Sequence, residues 1–137
     1  MIVHGTCVAL EGRGLLIVGA SGSGKSGLGL QLMAFGARLV ADDRVELTLV
    51  DATVQAAAPR SLPPLIEARG VGLLQADPLA NAPLVAVVDL DQTEDARLPK
   101  SYGTAYLGIT LPLLRGCGSV HFAASLVQLL RRGRHTP

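Results

Sequence analysis

At 137 residues with 49% apolar side chains, the chain has enough material for one domain with a proper core and too little for two typical ones. Twelve basic against eleven acidic residues leave a formal charge of +1 without a basic stripe, and two Tyr, two Phe and no Trp offer little to stack on bases, so nucleic acid is not the expected partner. No apolar run approaches the ~20 residues that cross a bilayer, and the amino terminus lacks a secretory design, so the expectation is one cytoplasmic domain over residues 1–137 with no membrane association.

Residues 3–10 read as a strand and Glu11, Gly12, Arg13 and Gly14 as a turn, which makes the apolar run Leu15, Leu16, Ile17, Val18 the second strand of a hairpin. A hairpin here implies a mixed sheet with at least one antiparallel neighbour rather than an all-parallel one. Gly19, Ala20, Ser21, Gly22, Ser23, Gly24, Lys25 and Ser26 follow, and fit the pattern G-x-x-x-x-G-K-[ST]. Leu28, Leu32 and Phe35 then share one face of a helix that Gly36 can stop. Strand, glycine loop and helix in that order make a phosphate cradle. Glycines let backbone N–H groups point inward, Lys25 supplies a point charge for the outer phosphates, and the Ser26 hydroxyl is placed to ligate magnesium.

Arg38, Leu39, Val40 and Ala41 read as a short strand ending on Asp42 and Asp43. Val45, Leu47 and Leu49 alternate with Glu46 and Thr48, and a turn at Asp51, Ala52 and Thr53 leads into residues 54–58 as a second hairpin. The proline-bearing segments 62–64 and 76–83 read as loops bracketing residues 66–74, where Glu67 and Arg69, two apart, fall on one strand face. Residues 84–90 form a continuous apolar strand ending near Asp89 and Asp91; 92–101 is a polar connection; 106–113 is a further strand, with Pro112 favouring an edge or an end. The last element is a helix over 120–132, capped by Ser119 and ended by Gly133, with Phe122, Leu126, Leu129 and Leu130 on one face and Arg131 and Arg132 complementing the dipole in its last turn. Cys7 and Cys117 lack metal-ligand spacing and read as small buried residues.

Phosphoryl transfer needs a carboxylate near the cradle, and two segments offer one: Asp42 with Asp43, and Asp89 with Asp91. Spacing does not choose between them. Asp42 and Asp43 point to opposite strand faces unless the chain turns between them, so one can aim at a metal and the other at an acceptor; the plainer reading is a solvated turn. Glu67 and Arg69 are a metal ligand and phosphate clamp or else a surface ion pair. His4, on the strand beside the loop strand, is placed to reach the centre, a lone histidine being otherwise structural; Arg115 is a phosphate or partner contact or an exposed loop residue.

Together these residues resemble the catalytic domain of HPr kinase/phosphorylase, the bacterial enzyme that phosphorylates a seryl hydroxyl of the phosphocarrier HPr. The resemblance runs through Val3-His4-Gly5, the loop from Gly19 with Lys25 and Ser26, Leu39-Val40-Ala41-Asp42-Asp43, and Ile66-Glu67-Ala68-Arg69-Gly70-Val71-Gly72, with a weaker tail at Ile109-Thr110-Leu111-Pro112 and Arg115-Gly116. It implies an α/β fold, a P-loop kinase domain with a mixed sheet akin to phosphoenolpyruvate carboxykinase. It also implies ATP with Mg2+, an HPr-like phosphocarrier as partner, a homo-oligomer that is commonly a hexamer, and frequently a reverse phosphorolysis yielding pyrophosphate. By the same resemblance Asp43 is the base toward the serine, supported by Asp42 and His4; Glu67 is the metal-side acid and Arg69 the signature arginine.

Three departures stand out. Gly27 occupies a position where the family commonly has an acidic residue, which bears on phosphorolysis. The chain starts almost at the catalytic domain, so the family's amino-terminal regulatory domain is expected to be absent. It also ends soon after the last helix, with Gly116-Cys117-Gly118 in place of a more polar sequence, and so resembles the short alphaproteobacterial form tied to a nitrogen-related phosphotransferase system. Two other readings remain open: a kinase of the same fold acting on a small molecule, and a nucleotide-binding regulator without transfer activity.

Overall fold

A computed structural model describes residues 1–60 and 62–135. The chain opens with the expected hairpin, β1 (Ile2–Leu10) running antiparallel to β2 (Arg13–Val18) across a tight turn at Glu11 and Gly12. The glycine loop follows, then α1 (Lys25–Ala34), β3 (Arg38–Val50), β4 (Thr53–Ala57), the small hairpin β5 (Leu65–Ala68) and β6 (Gly72–Gln75), β7 (Asn81–Thr93), β8 (Tyr102–Tyr106), β9 (Ile109–Gly116) and α2 (Phe122–Arg132).

Seven strands form one mixed sheet in the order β2-β1-β3-β4-β7-β9-β8, and β2 also pairs with β7, so five of them close into a ring. β7 makes this possible by length. Asn81 to Pro83 pair antiparallel with β4, Leu84 to Asp89 pair parallel with β2, and Val87 to Thr93 pair parallel with β9. Strand alternation then sorts the core into two. Val8, Leu10, Leu15, Ile17 and Val88 face Leu28 and Leu32 of α1 and Leu126 and Leu130 of α2. Cys7, Ala9, Leu16, Val45, Leu47 and Val87 face into the curl of the sheet. Burial pushes the Cys7 thiol up to about 12, and both cysteines are free. No helix among the described residues is long and apolar enough to cross a membrane.

Several local expectations are corrected. β3 does not end at Asp42 and Asp43: pairing with β1 carries straight through them, Thr6 opposite Asp42 and Gly5 opposite Asp43, and the irregularity survives only as a left-handed Asp43 at φ 71°. Phe35 is not on the buried face of α1 but closes it, half-exposed, because Gly36 at φ 106° turns the chain away. Residues 81–83 are strand rather than loop, Pro83 sitting opposite Gln55, and Gln92 and Thr93 extend the same strand. Segment 66–74 is a hairpin turning at Arg69 and Gly70, so Glu67 and Arg69 are not neighbours on one strand face. β9 is interior, between β7 and β8; Pro112 is tolerated because pairing with β7 starts only at Leu113, where an N–H is again present. α2 starts at Phe122 with His121 in the cap position and no side-chain cap, Ser119 lying too early in the chain to serve.

Candidate active site

The loop between β2 and α1 holds its open shape through glycines at positive φ, Gly22 at 83° and Gly24 at 99°, a conformation L side chains avoid. Gly24 occupies the cap position of α1 and no side chain caps the helix, which leaves its first N–H groups and positive dipole end facing the loop. Lys25 is buried, its Nζ donating to the carbonyls of Gly19 and Ala20 at 2.9 Å each, so its charge is held inside the curve of the loop. The backbone N–H of Ala20 donates to the Asp91 carboxylate at 2.9 and 3.1 Å, pinning the start of the loop to the end of β7.

Carboxylates reach the loop from β3. The Ser26 hydroxyl donates to the Asp42 carboxylate at 3.0 and 3.1 Å, and the Thr6 hydroxyl donates to the same group at 2.7 Å. Asp43, its backbone left-handed, turns its carboxylate to His4 Nδ1 at 3.3 Å, both side chains being more than half exposed. The turn that sequence reasoning allowed between the two aspartates is thus a single strained residue inside a continuous strand, and it gives them different partners.

A cleft of about 880 Å³ gathers most of the expected residues. Ser21, Gly22, Gly24, Lys25 and Ser26 form its floor; His4, Asp42 and Asp43 form one side; Glu67 and Arg69, on the β5–β6 hairpin, form the other with Val71 and Leu73. Gly19, Ala20 and Ser23 shape the loop without lining this cleft. Of the two acidic segments, the one on β3 lines it. Asp89 instead accepts from Asp91 N and Gln92 Nε2 at 2.9 and 2.7 Å, and Asp91 holds the loop as described. Arg115 does not join the cleft; its guanidinium lies over the Tyr102 ring at 4.1 Å.

The donors offered by Ser26, Asp42 and Glu67 are all oxygen, the set that suits a hard cation such as Mg2+. Among the described residues no group of three or more His, Cys, Asp or Glu side chains forms a metal cage. Sequence reasoning missed Thr6. It is fully buried, on the strand that separates β2 from β3, and its hydroxyl and methyl face Asp42 and α1 respectively. The one signal was a threonine two and four residues before Val8 and Leu10, at the start of the otherwise apolar run 6–10.

Residues 1–81 match the model of the HPr Serine kinase C-terminal domain family. The chain is 47% identical over 73 residues to the HPr kinase/phosphorylase of Lactobacillus johnsonii, covering 53% of this chain and 23% of that protein. It is 43% identical over 103 residues to the HPr kinase/phosphorylase of Streptococcus pneumoniae, covering 74% of this chain and 32% of that one. It therefore spans about a quarter to a third of the length of these curated relatives. The fold matches the structure of the HPr(Ser) kinase/phosphatase from Coxiella burnetii with a TM-score of 0.79 at 19% identity, over 96% of this chain and 88% of the other.

Proposed function

The chain belongs to the HPr Serine kinase C-terminal domain family, and we propose that it is the catalytic domain of an ATP- and Mg2+-dependent protein-serine kinase whose acceptor is a seryl hydroxyl of an HPr-like phosphocarrier. The observation that carries this reading is the division of labour between adjacent aspartates: Asp42 is engaged with the loop's Ser26, while Asp43 faces away, exposed, into the same cleft.

On this reading the loop N–H groups and Lys25 hold the outer phosphates of ATP. Ser26, Asp42 and Glu67 would hold a magnesium ion, whose charge would offset that of the phosphates. The seryl hydroxyl enters from the open side of the cleft, where Asp43 takes its proton as the oxygen attacks the γ-phosphorus and the bond to the ADP oxygen breaks. His4 steadies the Asp43 carboxylate, and Arg69 sits on the opposite wall, where a guanidinium can clamp the transferring phosphoryl group. Gly27 leaves the cleft without an acidic side chain at its position, with nothing within 4 Å of where a Cβ would be.

The test is incubation of the purified chain with γ-labelled ATP, Mg2+ and an HPr-like carrier, followed by phosphosite mapping. Label on a carrier serine is the expected result. Label confined to small molecules, or no transfer despite nucleotide binding, refutes the protein-kinase reading. A second arm adds inorganic phosphate to the phosphorylated carrier and measures pyrophosphate, which reports on phosphorolysis separately.

A further inference from the structure

The sheet gives a bound nucleotide a direction. β2, β7 and β9 run parallel and deliver their carboxyl ends to the same side of the sheet, where open α/β folds bind ligands. β2 is flanked on one side by β1 and β3, which carry His4, Asp42 and Asp43, and on the other by β7 and then β9. If the reactive phosphate faces the aspartates, as the reading above has it, the nucleoside must leave in the opposite direction, across the first turn of α1.

A groove of about 370 Å³ lies there, between the beginnings of α1 and α2, within the size range of small-molecule sites. It is continuous with the phosphate loop through Gly24 and Gly27, which line both this groove and the cleft. Its far wall is Leu90 near the end of β7, Val120 in the connection after β9, and Phe122 in the first turn of α2. Val120 is completely exposed, an apolar side chain that packs on nothing in the fold. The Ser23 hydroxyl, on the loop side, is buried without a hydrogen-bond partner among the described residues. Gly27 lies between groove and cleft with open space where its Cβ would be.

We propose that this groove holds the nucleoside half of the nucleotide, the base against Leu90, Val120 and Phe122 and the ribose over Gly27. The inference rests on the phosphate-loop reading, but not on the family match, since the wall residues lie beyond residue 81. Apolar contact dominates the wall, so the base is recognised chiefly by shape and stacking, with Gln31 and Ser119 as the flanking hydrogen-bonding side chains.

Cys117 is a built-in reporter, because its free thiol lines the same groove and is partly exposed, while Cys7 is fully buried. The experiment measures alkylation of Cys117 by N-ethylmaleimide in the intact chain with Mg2+, in the presence of ATP or of inorganic tripolyphosphate, each at a concentration shown by titration to saturate. ATP should slow alkylation about tenfold, the free fraction left when a ligand stands at roughly ten times its Kd, and tripolyphosphate should leave the rate within about twofold. Equal slowing by both, or slowing by neither although both bind, overturns the groove and leaves the phosphate cradle standing. Failure of both to bind overturns the cradle and the groove with it. Photolabelling with 8-azidoadenosine triphosphate provides the second measurement: label in residues 117–123 is expected, and label in the 65–75 hairpin overturns the proposal by placing the base on the opposite wall.

Discussion

Replacing Asp43 with Asn separates chemistry from structure unusually well at this position. The residue sits at φ 71°, where a side chain other than Gly, Asn or Asp adds steric cost, and Asn tolerates that conformation as Asp does. The substitution removes the ion pair with His4 at 3.3 Å, whose side chains are 52% and 70% exposed, and exposed pairs contribute about 0–1 kcal/mol. Asp43→Asn should therefore unfold within about 1 kcal/mol of the native protein, and the phosphate loop, whose carboxylate partners are Asp42 and Asp91, should bind nucleotide unchanged. Turnover is different. A general base contributes roughly 10²- to 10⁴-fold, or about 3 to 5 kcal/mol of barrier, and an amide cannot accept the seryl proton. The assay pairs initial rates of carrier phosphorylation with ATP affinity and urea unfolding on one preparation. Asp43→Ala serves as the contrast, since it removes the same base but adds left-handed strain and should be measurably less stable than Asp43→Asn. A kcat for Asp43→Asn within about threefold of native, with the carrier saturating, would refute Asp43 as the base.

Two helix glycines should respond to alanine with opposite sign. At Gly29 the new Cβ would stand 2.9 Å from Thr6 Cγ2, so overpacking of about 1–3 kcal/mol outweighs the ~1 kcal/mol gain in helix propensity, whereas at Gly27 nothing lies within 4 Å and Gly27→Ala should gain stability in urea unfolding. Thr6→Val keeps the shape of a fully buried side chain while deleting its hydroxyl, leaving Asp42 with Ser26 alone; the expected outcome is a raised Mg2+ requirement with little change in unfolding midpoint, read from rates across a Mg2+ titration. Alkali provides a fourth test. The Cys7 thiol is raised from 9.0 to about 12 by burial, so the native state holds that proton more tightly than the unfolded chain does; its contribution is complete below about pH 9 and is lost as pH rises toward 12, to a total of about 4 kcal/mol. Stability of Cys7→Ala should accordingly fall less steeply than native between about pH 9 and 11, and parallel slopes would contradict this assignment.

Much of the candidate site was legible because the residues that line the cleft come in consecutive runs. The loop from Gly19 through Ser26, the Asp42–Asp43 pair and the 66–72 segment each carry their meaning in short-range order, and the hairpin before the loop correctly announced a mixed sheet. What escaped depends on pairing between distant segments. The end of a strand at Asp42 was inferred from two acidic residues, yet β1 supplies partners across them, and long-range pairing outweighs local polarity. The hairpin turn at Arg69 was hidden because Gly70 and Gly72 read equally well as strand interruptions. The ring closure of β2 on β7 leaves no local trace at all, and with it went the role of Asp91, which is 71 residues from its partner Ala20.

The strand order also explains how Thr6 comes to join the acid to the loop. β1 lies between β2 and β3, so the strand that feeds the loop and the strand that bears the aspartates are two inter-strand spacings apart, roughly 9.5 Å. No single side chain on β2 bridges that distance along the sheet. The connection is made above it instead: Ser26, in the first turn of α1, donates to Asp42 from one direction, and Thr6, on the intervening strand, donates from beneath. Gly29 lets α1 settle onto the Thr6 methyl, so the height of the helix over β1 fixes the distance from Ser26 to Asp42. In an all-parallel sheet with loop strand and acid strand adjacent, that height would matter less. Here the close approach of helix to middle strand sets the spacing of Ser26 and Asp42, so on the proposed reading substitutions at Gly29 and Thr6, neither of which lines the cleft, should alter metal handling without touching substrate.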